Sequence, residues 1–287
     1  MSRRTDSGFT MVELIIALVL FGIVGISIYK LLVSNQRLYY QQTERVNTNQ
    51  AARAAASILP MEIRELDATD PSGGSDILTA SSTGFRYRAM KSVYFACADG
   101  AGTSVIVDRS RWFGIRAADV TTDSLLIFAE GDESTRSDDA WLHANVTAMS
   151  SGTACSDGSA SITFTVALAS GSISSVLEGA PVRSYQDEQV SLYQDASGDY
   201  WLGSQTISKS SGSTSTIQPI VGPLTSSGLA LAYYDTTGTV TADRTKIARI
   251  AISVTAQSHD PVYGSTGIGY LTQSLATDVA LRNNRRY

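Results

Sequence analysis

The sequence predicts an α+β protein: a long amino-terminal helix, membrane-spanning in its first half, whose second half packs on an antiparallel β-rich globular head. Three observations predict this class. Residues Leu14–Tyr29 are apolar and uncharged, helical periodicity without Gly or Pro continues over Val33–Leu59, and the remainder alternates short apolar segments with Gly-, Ser- and Asp-rich turns. With 43% hydrophobic and 17% charged residues, the chain of 287 residues is not a disordered tail.

The first half of the helix is predicted to cross a membrane. The apolar stretch from Phe9 to Leu32 is close to the length that a bilayer requires. Arg3 and Arg4 precede it, so the positive-inside rule holds the leader in the cytoplasm and sends the rest of the chain outward. The residues after the run do not match the small-residue cleavage site of a secretory signal, which favours an uncleaved anchor.

The second half of the helix is predicted to lie outside the membrane, beneath the head. Small side chains over Ala51–Ala56 permit close approach to another element. Pro60 lacks a backbone donor, so a kink is expected there before the helix continues to Leu66. From Phe9 to Leu59 such a helix would span about 76 Å.

The head is predicted to consist of short strands joined by turns. Asp195–Asp199 and Asp235–Gly238 indicate turns, and alternation places Ile250, Ile252 and Val254 on one face of a late strand. Polar, low-complexity segments predict surface loops at Gly131–Asp139, Ser170–Ser175 and Ser208–Thr216. The predicted strands are Phe85–Met90, Ser92–Cys97, Ser104–Val107, Trp112–Arg116, Ser124–Ala129, Ser161–Leu168, Pro181–Ser184, Val190–Gln194, Tyr200–Ser204, Leu229–Asp235 and Ile247–Ala256.

Glu13 is the unusual residue of the apolar segment. A carboxylate at mid-membrane costs about 2.5–3.5 kcal/mol on insertion scales, and the run holds no basic residue that could pair with it. Cleavage between Gly8 and Phe9 would create an α-amino group, and the amine of a neighbouring chain could supply the missing charge. At about 4 Å and an effective dielectric near 20, such a pair gains about 4 kcal/mol before desolvation is subtracted. Glu13 would then report that a second subunit has docked.

The segment Gly8–Leu14 resembles the processing site of type IV prepilins and of the pseudopilins of type II secretion: a short basic leader, Gly, Phe and, four residues after that Phe, Glu in a long apolar helix. The resemblance implies that a membrane peptidase cleaves after Gly8, that Phe9 is methylated at its new amino terminus and that Glu13 forms the assembly charge pair. It divides the chain into a cleaved leader (1–8), a transmembrane and filament-core helix (9–32), a periplasmic stem kinked near Pro60 (33–69) and a β-rich head (70–287).

Later segments are similar to the tail of minor pilins of the PilW type: Pro219–Leu224, Gly228–Asp235, Ile247–Thr255 and Leu275–Asn283. The J-type minor pseudopilin of type II secretion shares the long stem helix. The resemblance covers residues 8–66 and 181–283 and leaves 70–180 to the strand pattern alone. It implies a pilin-like fold and a minor pilin within an assembly-priming complex. The large head favours the filament tip, where no subunit needs to stack above it.

The same resemblance implies the partners and the location. The partners would be other pilin or pseudopilin subunits, the prepilin peptidase, the inner-membrane assembly platform and, before assembly, membrane lipid. The chain would cross the inner membrane once, with its head in the periplasm, and then enter a cell-surface pilus or a periplasmic pseudopilus. Two alternatives remain open from the sequence: a minor pseudopilin of type II secretion, and a signal-anchored extracytoplasmic enzyme or binding domain.

No catalytic residue, cofactor or metal is predicted for the head. His143 and His259 have no ligand-pair spacing, and hydrolase, metalloprotease and nucleotide-binding motifs are absent from the sequence. We therefore expect a protein that is not an enzyme, with surface or loop-edge histidines and acidic groups that lie in solvated loops. A formal net charge of -5 disfavours global nucleic-acid binding.

Cys97 and Cys155 lack the spacing of zinc or redox sites, which leaves a disulfide or two inert thiols. The predicted topology exports both residues to an oxidising compartment and so favours the disulfide. Its closed loop of about 59 residues would stabilise the fold by roughly 4 kcal/mol.

Overall fold

The structure, a computed structural model, describes residues 10–68, 74–130, 134–135, 139–152, 155–264 and 267–281. One long helix precedes a head of antiparallel strands, which confirms the predicted α+β class and the pilin-like arrangement of helix and head. The elements are α1 (Met11–Arg64), β1 (Ile77–Ser81), β2 (Gly84–Phe95), β3 (Ser104–Asp108), β4 (Phe113–Gly114), β5 (Ser124–Ala129), β6 (Ala140–Ser151), β7 (Ser161–Leu168), β8 (Pro181–Gln194), β9 (Tyr200–Thr206), β10 (Gln218–Tyr234), β11 (Arg249–Gln257), β12 (Val262–Gly264), β13 (Gly267–Gly269) and β14 (Thr272–Ala280).

Only the carboxy-terminal part of helix α1 is buried. The buried positions recur every three or four residues, the period of one helix face: Thr48, Ala52, Ala55, Leu59 and Ile63. The two alanines let β10, β11 and β14 approach the helix closely. Pro60 lies inside α1, which ends at Arg64 rather than at the predicted Leu66. Leu66 is nevertheless buried in the core beneath the helix.

The main sheet is antiparallel, with the path β14-β11-β10-β9-β8-β5-β6-β7-β3. Strand β8 is its centre. One edge of β8 pairs with β2 almost throughout, while the other edge pairs with β5 over Val182–Tyr185 and with β9 over Glu188–Gln194. Strand β2 also carries the short strands β1 and β4. The long β2–β8 ribbon therefore joins two parts of the head.

Each part has its own hydrophobic core. The first core lies between α1 and the sheet, where Ile250, Ile252 and Val254 of β11 point inward as the alternation predicted. The second core lies beyond the ribbon, among β3, β5, β6 and β7, around the fully buried Phe164. The buried apolar residues of the helix belong to the first core.

The predicted strands were mostly correct in position but incomplete in length. Two pairs of predicted strands are continuous: the first pair forms β2, and the segments around Tyr185–Gln189 join into β8. The strand at Trp112–Arg116 shrinks to Phe113–Gly114, and Ser170–Ser175 contains a short 3-10 helix at Ile173–Ser175. Strands β1, β6, β12, β13 and β14 were missed. The turns at Asp195 and Asp235 and the Ser208–Thr216 connection agree with the prediction.

Candidate functional site

At the amino terminus of α1, the side chains of two residues form hydrogen bonds that cap the helix. Thr10 is the N-cap residue, with extended backbone, and its hydroxyl oxygen accepts a hydrogen bond from the Glu13 backbone N–H at 3.3 Å. In return, Oε2 of Glu13 accepts hydrogen bonds from the Thr10 backbone N–H at 2.9 Å and from the Thr10 hydroxyl at 3.0 Å. This reciprocal pattern is a capping box, which satisfies donors that the first helical turn otherwise leaves unpaired.

Thr10 is the functional residue that sequence reasoning missed. We expected no basic partner for Glu13 within its apolar run, and the structure adds a neutral hydrogen-bond partner, Thr10, three residues earlier. The signal was present as Thr-x-x-Glu before an apolar segment, the sequence signature of a capping box. The carboxylate is thus held in one orientation at the start of the helix. Gly8 and Phe9, the predicted processing residues, lie outside the described residues.

From Met11 to Leu32 the helix surface is exposed all round. Its apolar side chains include Met11, whose exposed fraction is 81%, and Phe21, at 78%. The helix is long and apolar enough to cross a membrane. An uncovered apolar surface of this length is unstable in water, so it requires lipid or the helices of other subunits around it. The helix therefore fits a membrane-anchored, single-pass protein.

The two cysteines form a disulfide within the second part of the head. The Cα atoms of Cys97 and Cys155 are 5.4 Å apart, and both side chains are buried. The bond ties the chain after β2 to the connection between β6 and β7. Disulfides persist in oxidising compartments, so the bond agrees with a head exported from the cytoplasm.

Six aspartates of the head have carboxylates that close turns. Each has a hydroxyl residue two positions later, and its carboxylate accepts a hydrogen bond from that residue's backbone N–H. In five of the six, hydrogen bonds from the hydroxyl residue are the main cause of a lowered carboxyl pKa. We call these the turn carboxylates; they are Asp108, Asp119, Asp157, Asp195, Asp235 and Asp243. Their oxygens stabilise the backbone rather than converge on a cation site.

Within the described ranges, no group of three or more Cys, His, Asp or Glu side chains converges as a metal site would require. Asp132, Glu133 and Asp138 of the acidic segment lie outside those ranges. The two histidines differ from one another. His259 lies in an exposed bend, whereas His143 is half-buried within β6, 3.4 Å from the Tyr185 hydroxyl. The expectation of a surface or loop-edge position was therefore wrong for His143.

Comparison with known proteins adds one finding. Residues 3–29 match the family described as the prokaryotic N-terminal methylation motif, a region that includes Gly8, Phe9, Thr10 and Glu13. No curated protein and no solved structure gave a match. The match supports a chain of the type IV pilin and pseudopilin class, which is processed by a prepilin peptidase and associates with other pilins. It suggests a structural rather than an enzymatic protein. The amino terminus therefore carries a pilin-type methylation motif on a capped, exposed apolar helix.

Proposed function

We propose that this chain is a minor pilin of a type IV pilus, assembled through its amino-terminal helix and located at the filament tip within an assembly-priming complex. The supporting observation is the combination of a methylation motif, a Glu13 carboxylate held by Thr10 and an apolar helix exposed over 11–32. Processing cleaves the chain after Gly8 and methylates Phe9. Before assembly the helix lies in the inner membrane and the head in the periplasm.

The exposed helix allows the subunit to pass from the membrane into a filament at low cost. Moving residues 11–32 from lipid into a core of parallel pilin helices exchanges one apolar environment for another, so the step does not expose that surface to water. The helix begins to be covered by its own head only at Val33. The platform can therefore draw the anchor out of the membrane without opening either core of the head.

The charge pair of Glu13 sets the position of one subunit relative to its neighbour during assembly. Among the described residues, both hydrogen bonds to its carboxylate converge on Oε2, and the second oxygen can accept a bond from another chain. The methylated amine of a neighbour's Phe9 is a cation of the required charge. A pair at about 4 Å in a medium of effective dielectric near 20 contributes about 4 kcal/mol before desolvation. Thr10 holds the carboxylate in place beforehand, which reduces the entropy lost on pairing.

The size of the head supports the tip position. The head is a sheet with two hydrophobic cores, and it packs on one face of the helix. In a repeating shaft, each such head would have to fit beneath the head of the next subunit, whereas at the tip no subunit follows. The proposed partners are thus the next pilin below, the prepilin peptidase and the inner-membrane platform.

Two substitutions separate the charge pair from the helix cap. Glu13→Gln retains a side chain that can complete a capping box but removes the charge, while Thr10→Val removes the cap but retains the charge. Both variants should be cleaved by a co-expressed prepilin peptidase, with loss of eight residues and gain of one methyl group in the mass spectrum. We expect Glu13→Gln to be absent from sheared filaments and Thr10→Val to be present.

An uncleaved wild-type chain would contradict the pilin assignment and favour a signal-anchored enzyme or binding domain. Normal incorporation of Glu13→Gln would contradict charge pairing. Deleting the gene for this chain in its native host distinguishes a type IV pilus from the pseudopilus of type II secretion. Loss of surface pili with normal exoprotein secretion supports the proposal, and the reverse result identifies a minor pseudopilin of type II secretion.

A further inference from the structure

The small hairpin β12–β13 stands beside the stem and carries an exposed apolar surface. Tyr263, Ile268 and Tyr270 are 53%, 62% and 55% exposed. Over Pro261–Gln273 the sequence contains no charged residue. The guanidinium of Arg37 lies 4.4 Å from the centre of the Tyr263 ring, which fixes the hairpin against the helix.

The distance between this hairpin and the apolar segment can be counted along the helix. Lys30 is the first charged residue after Glu13, and Arg37 is the next. Seven residues of α-helix rise about 10 Å, so Tyr263 contacts the helix about 10 Å beyond Lys30. Val33 is the first residue after Thr10 that is only partly exposed. Arg37 lies five residues, or about 8 Å of helix, beyond Leu32, where the fully exposed apolar segment ends. The headgroup layer on each side of a bilayer is about 5–8 Å thick, which places the contact between hairpin and helix at the outer edge of that layer.

The chemistry of the surface matches the same layer. Tyrosine is enriched at membrane–water interfaces, where its ring lies among the headgroups and its hydroxyl remains hydrated. Tyr29, Tyr39 and Tyr40 of α1 are each 68% exposed near the same height. Lys30 and Arg37 add positive charge where lipid phosphates lie.

We propose that Tyr263, Ile268 and Tyr270 form a lipid-docking surface that lies in the headgroup layer before assembly and holds the head against the membrane. The proposal rests on the membrane anchoring of α1, and its test therefore checks insertion separately. On extraction of the helix into a filament, this surface leaves the bilayer together with the anchor. Lipid contact is thus a property of the unassembled subunit.

Tryptophans introduced one at a time into the full chain, in nanodiscs of brominated phosphatidylcholine, test the proposal. Ile268→Trp reports on the hairpin, with Tyr270→Trp as a second reporter, and Leu20→Trp reports on insertion of the anchor. Bromines near the headgroup end of the acyl chain quench tryptophans at the interface, and lipid brominated near the methyl end of the chain is used for Leu20→Trp, at the middle of the membrane segment. The signal of the three native tryptophans, measured in the parent chain, is subtracted from that of each variant.

Ile115→Trp is the matched control, because Ile115 is 82% exposed but remote from the hairpin. Its backbone N–H bonds to the Lys91 carbonyl at 2.9 Å, and nearby on β2 the Tyr87 hydroxyl contacts Glu62 at 3.1 Å. Glu62 lies 25 residues, or about 38 Å of helix, beyond Arg37. The control therefore lies nearer the far end of the stem than the hairpin does.

We expect loss of the introduced fluorescence for Ile268→Trp and Tyr270→Trp and none for Ile115→Trp. If Leu20→Trp is quenched while both hairpin reporters behave like Ile115→Trp, the docking proposal is wrong although the anchor is right. If Leu20→Trp is not quenched, the membrane anchor itself fails, and the proposal fails with it. Shielding of the hairpin reporters only after a second pilin is added would identify a subunit contact instead of a lipid contact.

Discussion

Lys209 fastens the connection between β9 and β10 to the second part of the head. Its ammonium donates hydrogen bonds to three backbone carbonyls: Val120, Asp123 at 2.9 Å and Val146 at 2.8 Å. Partial burial lowers the pKa of Lys209 by desolvation, and the carboxylates of Asp123 and Asp119 oppose that shift. The three donors of one ammonium thus match three acceptors, and replacement of Lys209 by methionine removes all of them.

The expected loss in the free energy of unfolding follows from the number of hydrogen bonds that Lys209 donates and from their exposure to water. A hydrogen bond to a charged group contributes about 1.5–3 kcal/mol net, so three independent bonds would contribute about 5–9 kcal/mol. Water reaches the partly buried side chain and weakens each bond. Holding the lysine against three acceptors also loses about 2 kcal/mol of rotamer entropy, which a methionine without hydrogen bonds does not have to lose. We therefore expect Lys209→Met to lower the free energy of unfolding by about 2–4 kcal/mol.

Urea denaturation of the full chain in detergent, followed by tryptophan fluorescence, measures this difference. Lys246→Met is the matched control, because Lys246 is 69% exposed and its ammonium contacts Asp243 at 3.2 Å. Exposed pairs contribute about 0–1 kcal/mol, so the control should unfold close to the parent chain. If both variants lose the same stability, the carbonyl cluster around Lys209 does not stabilise the head and the reasoning is wrong.

Three further results are expected. Replacing Cys97 and Cys155 together by serine should lower the free energy of unfolding by up to about 4 kcal/mol, measured by denaturation against the parent chain; an unchanged midpoint would contradict this. Tyr87→Phe, which removes the hydroxyl contact to Glu62, should cost about 1–2 kcal/mol, and a neutral effect would show that the contact does not stabilise the docked helix. Because the folded state lowers the pKa of turn carboxylates such as Asp235, their contribution is complete above the unfolded pKa and is lost as pH falls through the folded pKa; Asp235→Asn should flatten that acid limb in pH-dependent melting.

The strands that sequence analysis predicted are those whose alternation reflects one buried face. In β11 every second residue enters the first core, so the period of two is complete and the prediction was correct. Strand β8 was divided because its centre is polar. There Asp187 pairs with Arg86 of β2 at 2.8 Å, and Glu188 pairs with Lys91. Such cross-strand charge pairs stabilise a strand without leaving an apolar pattern in its sequence.

The missed strands depend on contacts far along the chain. Much of β14 is exposed at the edge of the sheet, and only Val279 of that strand is fully buried. Strand β6 ends in five exposed residues, four of which pair with β7. Their conformation is set by an ordered neighbouring strand more than by their own sequence, since strand preference depends strongly on context. The disulfide, in contrast, was predictable because the predicted topology places both cysteines in an oxidising compartment.

Glu13 shows what a sequence can reveal about a site whose proposed partner is another molecule. Its cost in an apolar segment identified it without any structure, because that cost depends only on the residue and its surroundings. The bond to Thr10 adds that the carboxylate is oriented before any partner arrives. Since the buried part of α1 begins at Thr48, changes at Glu13 lie about 50 Å along the helix from the first core. Assembly and head stability are therefore separable in this chain, and a variant at Glu13 that loses filaments but keeps the parent's unfolding midpoint reports on assembly alone.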